Sequence, residues 1–205
     1  MARIVIDARK LGDLGIGTYI EGIVRELMRF ERRHEYDLLL PPGSKLTGAD
    51  NFRFLPFGSP KYSARELWAL PWKLRELRAD LLHSPHYVVP PLRPCRAVVT
   101  IHDLIHLKFP ELLATPLHRY YAWTMLFLAT RTARRILTVS EHTKLDLVRM
   151  LRVAPERILV APNGNIHARS GEVVPGEIIE QRGRHSKPLG CIVEVLGNHT
   201  DPGME

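Results

Sequence analysis

His102 follows the apolar run Ala97-Val-Val-Thr-Ile101 directly and precedes Asp103. An apolar run of that kind reads as a strand buried on both faces, so the imidazole falls where the strand emerges into a loop. A neutral imidazole at such a place can donate to a hydroxyl without ionising, or it can merely bond backbone at the strand end. Asp103 either positions that ring or caps the next turn. A second candidate is the loop Gly12-Asp13-Leu14-Gly15-Ile16-Gly17, set between the first apolar run and an amphipathic stretch. Glycines there allow backbone N–H groups and the positive end of a helix to approach a phosphate or a sugar, or they simply make the turn. The loop is not a dinucleotide fingerprint, because Ile20 stands where the third glycine would be needed.

Three further groups carry chemistry-bearing side chains. His83, His86, His102 and His106 invite a metal reading, since imidazole is a common transition-metal ligand. No cysteine joins them and their spacing fits no closed zinc pattern, so no metal is assigned. Ser140, Glu141, His142 and Thr143 resemble a nucleophile with neighbours, but no G-x-S-x-G elbow surrounds the serine, and a serine before an amphipathic helix reads as its N-cap. Arg65, Trp68, Trp72, Lys73, Arg75 and Arg78 combine cations with aromatics. They fit either a membrane-surface face or an ordinary helix with a buried Trp edge and a solvated Arg face, and the ordinary helix is preferred.

These residues need a scaffold, and the chain alternates short apolar runs with helical stretches. Strands are expected at Ile4–Ile6, Tyr36–Leu40, Arg53–Leu55, Leu81–His83, Ala97–Ile101, Ile136–Val139 and Ile158–Val160. Helices are expected at Tyr19–Arg33 and after Ser140, where Leu145, Val148 and Leu151 recur at helical spacing and Pro155 ends the pattern. Pro71 is expected to break or kink a helix. The pattern predicts an α/β fold with a doubly wound, mostly parallel sheet, in which ligands bind at the carboxyl ends of the strands. The Gly loop and His102 both lie at such ends and are expected to share one cleft.

Four motifs occur in a telling order: GIGTYI from Gly15, D-x-x-H from Asp80 to His83, VVTIHD from Val98, and VSEHTK followed by APNG, ending at Gly164. In this order they resemble the N-terminal, acceptor-side domain of a family 4 glycosyltransferase, a retaining enzyme of GT-B type. The resemblance covers Arg3 to Gly164. It implies that His102 contacts the donor sugar near the reacting carbon, and that Gly15, Ile16 and Gly17 lie at a cleft between donor and acceptor. It also implies that His83 and His86 line that cleft and touch acceptor, with Asp103, Ser140, Glu141 and Asn163 around it. The implied partners are a nucleotide-sugar donor and a glycan or lipid-linked acceptor. No cofactor is implied.

Composition sets the remaining bounds. The 205 residues are 45% hydrophobic and 25% charged, ordinary values for a globular chain. The net charge of +7 belongs to the body, because residues 165–205 hold four basic and six acidic residues. Such a field favours anionic partners. Nucleic acid is not expected, for want of any RRM, KH or helix-turn-helix signature. Cys95 and Cys191 stand far apart, which argues against a disulfide framework and makes a reducing cytoplasm the default. The N-terminus reads as a strand rather than a signal peptide, and the longest uncharged apolar segment, Tyr120–Thr130, is too short to span a bilayer. Peripheral attachment at the inner membrane face stays open.

The expected domain is 1–164. Residues 165–205 form an atypical tail lacking the resembled family's second domain, with its basic pair and E-x7-E motif. Leu189–Gly197 is the only stretch like that domain's first strand, so a truncated or frameshifted second domain is expected, with little or no transfer activity in this chain alone. A non-catalytic glycan-, lipid- or protein-binding module using the same cleft is the alternative.

Overall fold

The computed structural model describes residues 1–44, 48–58, 65–109, 111 and 115–162. Among the described residues seven strands and five helices follow one another as β1 Arg3–Asp7, α1 Ile16–Phe30, β2 Glu35–Leu40, β3 Phe52–Pro56, α2 Glu66–Glu76, β4 Leu81–Ser84 and β5 Arg96–Ile101, then α3 Ile105–Lys108, α4 Pro116–Thr132, β6 Arg135–Thr138, α5 Glu141–Leu151 and β7 Ile158–Val160. A 3-10 turn, Pro155–Arg157, precedes β7. All seven expected strands are present, each within a residue or two of its apolar run. They form one sheet in the order β3-β2-β1-β4-β5-β6-β7, parallel at every pairing.

Alternation along the strands divides the core into two layers. Ile4, Ile6, Leu81, Val98 and Leu137 face α1, which buries Tyr19, Ile20, Ile23, Val24 and Leu27 against them. On the other face Val5, Leu82, Val99 and Ile136 pack with Leu70 and Leu74 of α2, Leu126 and Ala129 of α4, and Leu147 and Leu151 of α5. The order in which strands are added reverses between β1 and β4: β2 and β3 build outward on one side, β5 to β7 on the other. In an open parallel sheet a crevice forms at the carboxyl ends of the strands flanking such a reversal.

Three local expectations are corrected. Trp68 and Trp72 do not form a buried edge. They are 74% and 75% exposed, and the leucines Leu70, Leu74 and Leu77 carry the packing of α2. That helix runs through Pro71 rather than breaking at it. In α5 the buried stripe is Thr143, Leu147 and Leu151, while Leu145 faces solvent. The helix stops at Arg152, whose left-handed φ of 50° turns the chain before Pro155 is reached. Among the described residues no helix is long and apolar enough to cross a membrane.

Candidate active site

The carboxyl ends of β1, β4 and β5 bring together side chains far apart in sequence. Beneath them lies a buried polar layer. Asp7, the last residue of β1, is fully buried and held by Arg9, whose Nε and NH2 donate to its two oxygens at 2.7 and 2.6 Å. The His86 Nε2 stands 3.4 Å from the same carboxylate. Burial alone would raise the Asp7 pKa, but Arg9 and His86 hold its carboxyl below the usual carboxylate range. His86 also accepts the Val88 N–H on Nδ1 at 3.2 Å, which fixes its hydrogen on Nε2, facing Asp7.

The second part of this layer lies under α1. His83 pairs with Ile6 on one side and Val98 on the other, which sets it on the α1 face of the sheet. Its Nε2 is 3.1 Å from Thr100 Oγ1, and the Tyr19 hydroxyl meets the same oxygen at 2.9 Å. Burial, with His102 and His86 nearby, pushes the His83 pKa down to about 3, so the ring is neutral at neutral pH. Burial likewise keeps the Tyr19 hydroxyl protonated.

His102 lies above this layer, half-buried. Its ring stands edge-on to Tyr19 with centroids 4.8 Å apart, and its Nε2 is 3.0 Å from the Pro85 carbonyl oxygen. A carbonyl only accepts, so Nε2 carries the hydrogen and Nδ1 is the acceptor of the neutral ring. The expectation that His102 donates to a hydroxyl is thereby reversed: its donor is spent on Pro85, and the ring offers a lone pair. Burial, aided by His86 and Lys10, keeps its pKa below the ordinary imidazole value against the opposing pull of Pro85 and Asp103.

The Gly loop is next to His102 through Tyr19, two residues beyond Gly17. Gly15 adopts φ 72° and ψ −66°, a conformation that side-chain-bearing residues avoid. Gly17 is required by proximity, since a Cβ there would lie 2.2 Å from the Leu11 carbonyl oxygen. The N–H groups of Ile16, Gly17 and Tyr19 donate to the carbonyls of Leu14, Asp13 and Gly15 at 2.8, 2.7 and 3.0 Å. These three are therefore not turned toward a phosphate, which corrects that part of the expectation.

The other expected site residues separate by role. His83 and His86 are buried at 0% and 4% exposure, so they support the cleft from below rather than line it against acceptor. Asp103 accepts the Ile105 N–H at 3.0 Å, closing a local turn just ahead of α3. Ser140 accepts the Thr143 N–H at 3.1 Å, and the Thr143 hydroxyl donates to the His102 carbonyl at 3.1 Å, so the N-terminus of α5 docks on the His102 loop. Glu141 is exposed in the first turn of α5. Asn163 and residues 165–205 lie outside the described residues. Among the described residues no three His, Cys, Asp or Glu side chains converge as a metal site.

Sequence reasoning missed Asp7, Arg9, Tyr19 and Thr100 as parts of this cluster. The available signal was an acid ending an otherwise apolar strand, with an arginine two residues on.

The family model for Glycosyltransferase Family 4 matches residues 15–167. The chain belongs to this family. A Cold shock domain model also matches residues 151–205, well under half of the chain. Its described part, 151–162, holds the last residue of α5, the 3-10 turn and β7. Comparison with curated proteins gives no match.

Among solved structures, the apo form of the lipopolysaccharide outer core galactosyltransferase WaaB aligns with a TM-score of 0.51 and 15% identity, over 88% of this chain and 50% of that one. A glycosyltransferase from Rickettsia africae ESF-5 aligns with a TM-score of 0.46 and 13% identity, over 80% of this chain and 43% of that one. The family 4 chain thus spans half or less of the length of these structures, and what it shares with WaaB is the GT-B-type α/β fold.

Proposed function

We propose that this chain is the acceptor-side half of a retaining glycosyltransferase that, in complete form, moves a sugar from a nucleotide-sugar to an acceptor hydroxyl of a glycan or lipid-linked glycan. The observation that carries this reading is His102 at the carboxyl end of β5, held in one tautomer by Pro85 and braced by Tyr19 and the α5 N-terminus. A neutral acceptor nitrogen so placed takes a hydrogen bond from a sugar hydroxyl and orients the ring beside the reacting carbon. Gly15, Ile16 and Gly17 form the facing wall, and Ser140 and Glu141 the rim near α5.

Glycosyl transfer passes through an oxocarbenium-like centre while the leaving diphosphate is stabilised electrostatically. In this reading the body ends near Gly164, and the donor-side half that holds most of the diphosphate and base is supplied by a longer form of the protein or by a separate chain. The acceptor side works at the inner face of the cytoplasmic membrane. Trp68 and Trp72 support this placement, standing exposed one helical turn apart on α2 with Arg65 and Arg75 flanking them.

Calorimetry with common nucleotide-sugars, beside a transfer assay on the 205-residue chain, tests the proposal. The expected result is feeble, salt-sensitive donor binding and no useful turnover, because orientation and charge stabilisation are both incomplete. Robust turnover that disappears in His102→Ala would overturn the half-enzyme reading. Donor binding equal in wild type and His102→Ala would favour a binding module that uses other residues of the cleft.

A further inference from the structure

At the opposite edge of the sheet, where the strands begin, a cavity of about 530 Å³ opens between the starts of β5 and β6, the end of α4 and the 3-10 turn. Four arginines, Arg96, Arg134, Arg135 and Arg157, line it together with Thr132 and two alanines, and no carboxylate is among these described lining residues. We propose that this cavity binds a small oligophosphate anion, of pyrophosphate or tripolyphosphate size, at a site separate from the cleft that holds His102.

The fold itself gathers these cations. Arg135 pairs with Val98, two residues beyond Arg96, so Arg96 and Arg135 project from one face of adjacent strands. The Arg134 N–H donates to the Ala97 carbonyl at 2.7 Å, which anchors the base of that exposed side chain at the cavity mouth. Arg157 donates to the carbonyls of Thr130, at 2.9 Å, and Ala133, and Arg135 donates to the Glu156 carbonyl at 2.6 Å.

Those acceptors are neutral. They position the guanidinium groups without cancelling their charge, and the carboxyl end of α4 contributes only about half a negative charge against them. Arg96 and Arg135 have other partners too. A guanidinium carries five N–H donors, so it can serve a phosphate oxygen beside an existing bond.

Size and lining choose the ligand class. The volume lies in the usual range for small-molecule sites. A wall of arginine, alanine and threonine offers no aromatic surface on which a base could stack, so neither a nucleotide base nor single-stranded nucleic acid is read there. Several guanidinium groups in one concavity suit an anion with several charged oxygens in a row, which a single phosphate does not provide.

Titration calorimetry of tripolyphosphate into the full 205-residue chain tests the proposal, using wild type, Arg134→Gln, Arg134→Glu, Arg96→Gln and His102→Ala. Arg134 is the primary target because its backbone bond survives substitution, and matching urea midpoints establish that the variants fold. Wild type should bind one equivalent with an affinity that falls as salt rises. Arg134→Gln and Arg96→Gln should each weaken it about tenfold, as expected for losing a charge-assisted bond, and Arg134→Glu should weaken it more. His102→Ala should bind as wild type does. The proposal fails if the Arg134 and Arg96 variants bind like wild type or if His102→Ala abolishes binding. It also fails if no saturable binding is seen, or if a short single-stranded oligonucleotide displaces tripolyphosphate at lower concentration than tripolyphosphate itself requires.

Discussion

Acidification from pH 7 to pH 5 should cost this fold about 2 kcal/mol through one side chain, His83. The ring is fully buried on β4, its Nε2 meets Thr100, and its Nδ1 has no hydrogen-bond partner among the described residues. Its pKa in the fold is pushed down to about 3, whereas in the unfolded chain it returns to about 6.5. Between those values the unfolded state binds a proton that the folded state refuses. Stability from His83 is therefore fully present above about pH 6.5 and is lost as pH falls toward 3, by at most about 1.4 kcal/mol per pH unit. Asp7 stays ionised in both states across pH 5 to 7 and does not contribute there. His102, also held below its ordinary value, adds loss of the same sign, so wild type must be compared with a variant. His83→Gln keeps a polar group for Thr100 and removes the titration. Urea unfolding at pH 5, 6 and 7 should show wild type losing about 2 kcal/mol more than His83→Gln over that span. Parallel losses in the two proteins would mean that His83 takes up its proton inside the fold, and the buried neutral layer would be wrong.

Three glycines in one loop should respond differently to alanine. Gly17→Ala should destabilise by about 1–3 kcal/mol, because its Cβ would meet backbone that cannot swing aside. Gly15→Ala should lose about 1–2 kcal/mol from its positive φ alone, and Gly12→Ala, with nothing within 4 Å, should be close to neutral. Urea midpoints give the ranking, and a neutral Gly17→Ala would contradict the close packing of α1 on Leu11. On the membrane side, Trp68→Ser/Trp72→Ser should cut co-sedimentation with anionic vesicles severalfold while leaving zwitterionic vesicles unbound, and equal binding by wild type and variant would remove α2 from the proposed interface.

The strands were legible because a parallel sheet covered on both faces demands continuous apolar runs, which few other arrangements do. Val98 to Ile101 and Ile4 to Ile6 announce themselves in that way, and the glycines mark where the first strand must turn sharply. The orientation of each polar residue at a strand end was not legible, because it depends on register against other strands. His83 looked like a cleft residue from its place at the end of an apolar run. Only its pairing with Ile6 and Val98 directs it under α1, where Thr100 and Tyr19, the latter 81 positions from Thr100, complete a polar cluster that no local window contains. Asp7 reads as a polar interruption of a strand until Arg9 is seen to double back onto it.

The tryptophans of α2 failed for the opposite reason. A Trp pair and a leucine stripe each satisfy helical spacing, an ordinary helix with a solvated Arg face was expected to bury the Trp edge, and the sheet accepted Leu70 and Leu74 instead. The consequence for the site follows from the layer beneath it. If Asp7, Arg9, His86, His83 and Thr100 hold one another in place below the strand ends, then His102 rests on a rigid polar floor whose charges already pair internally. Of His83, His86 and His102, the one left to meet a ligand is His102, whose Nε2 hydrogen is already committed to Pro85.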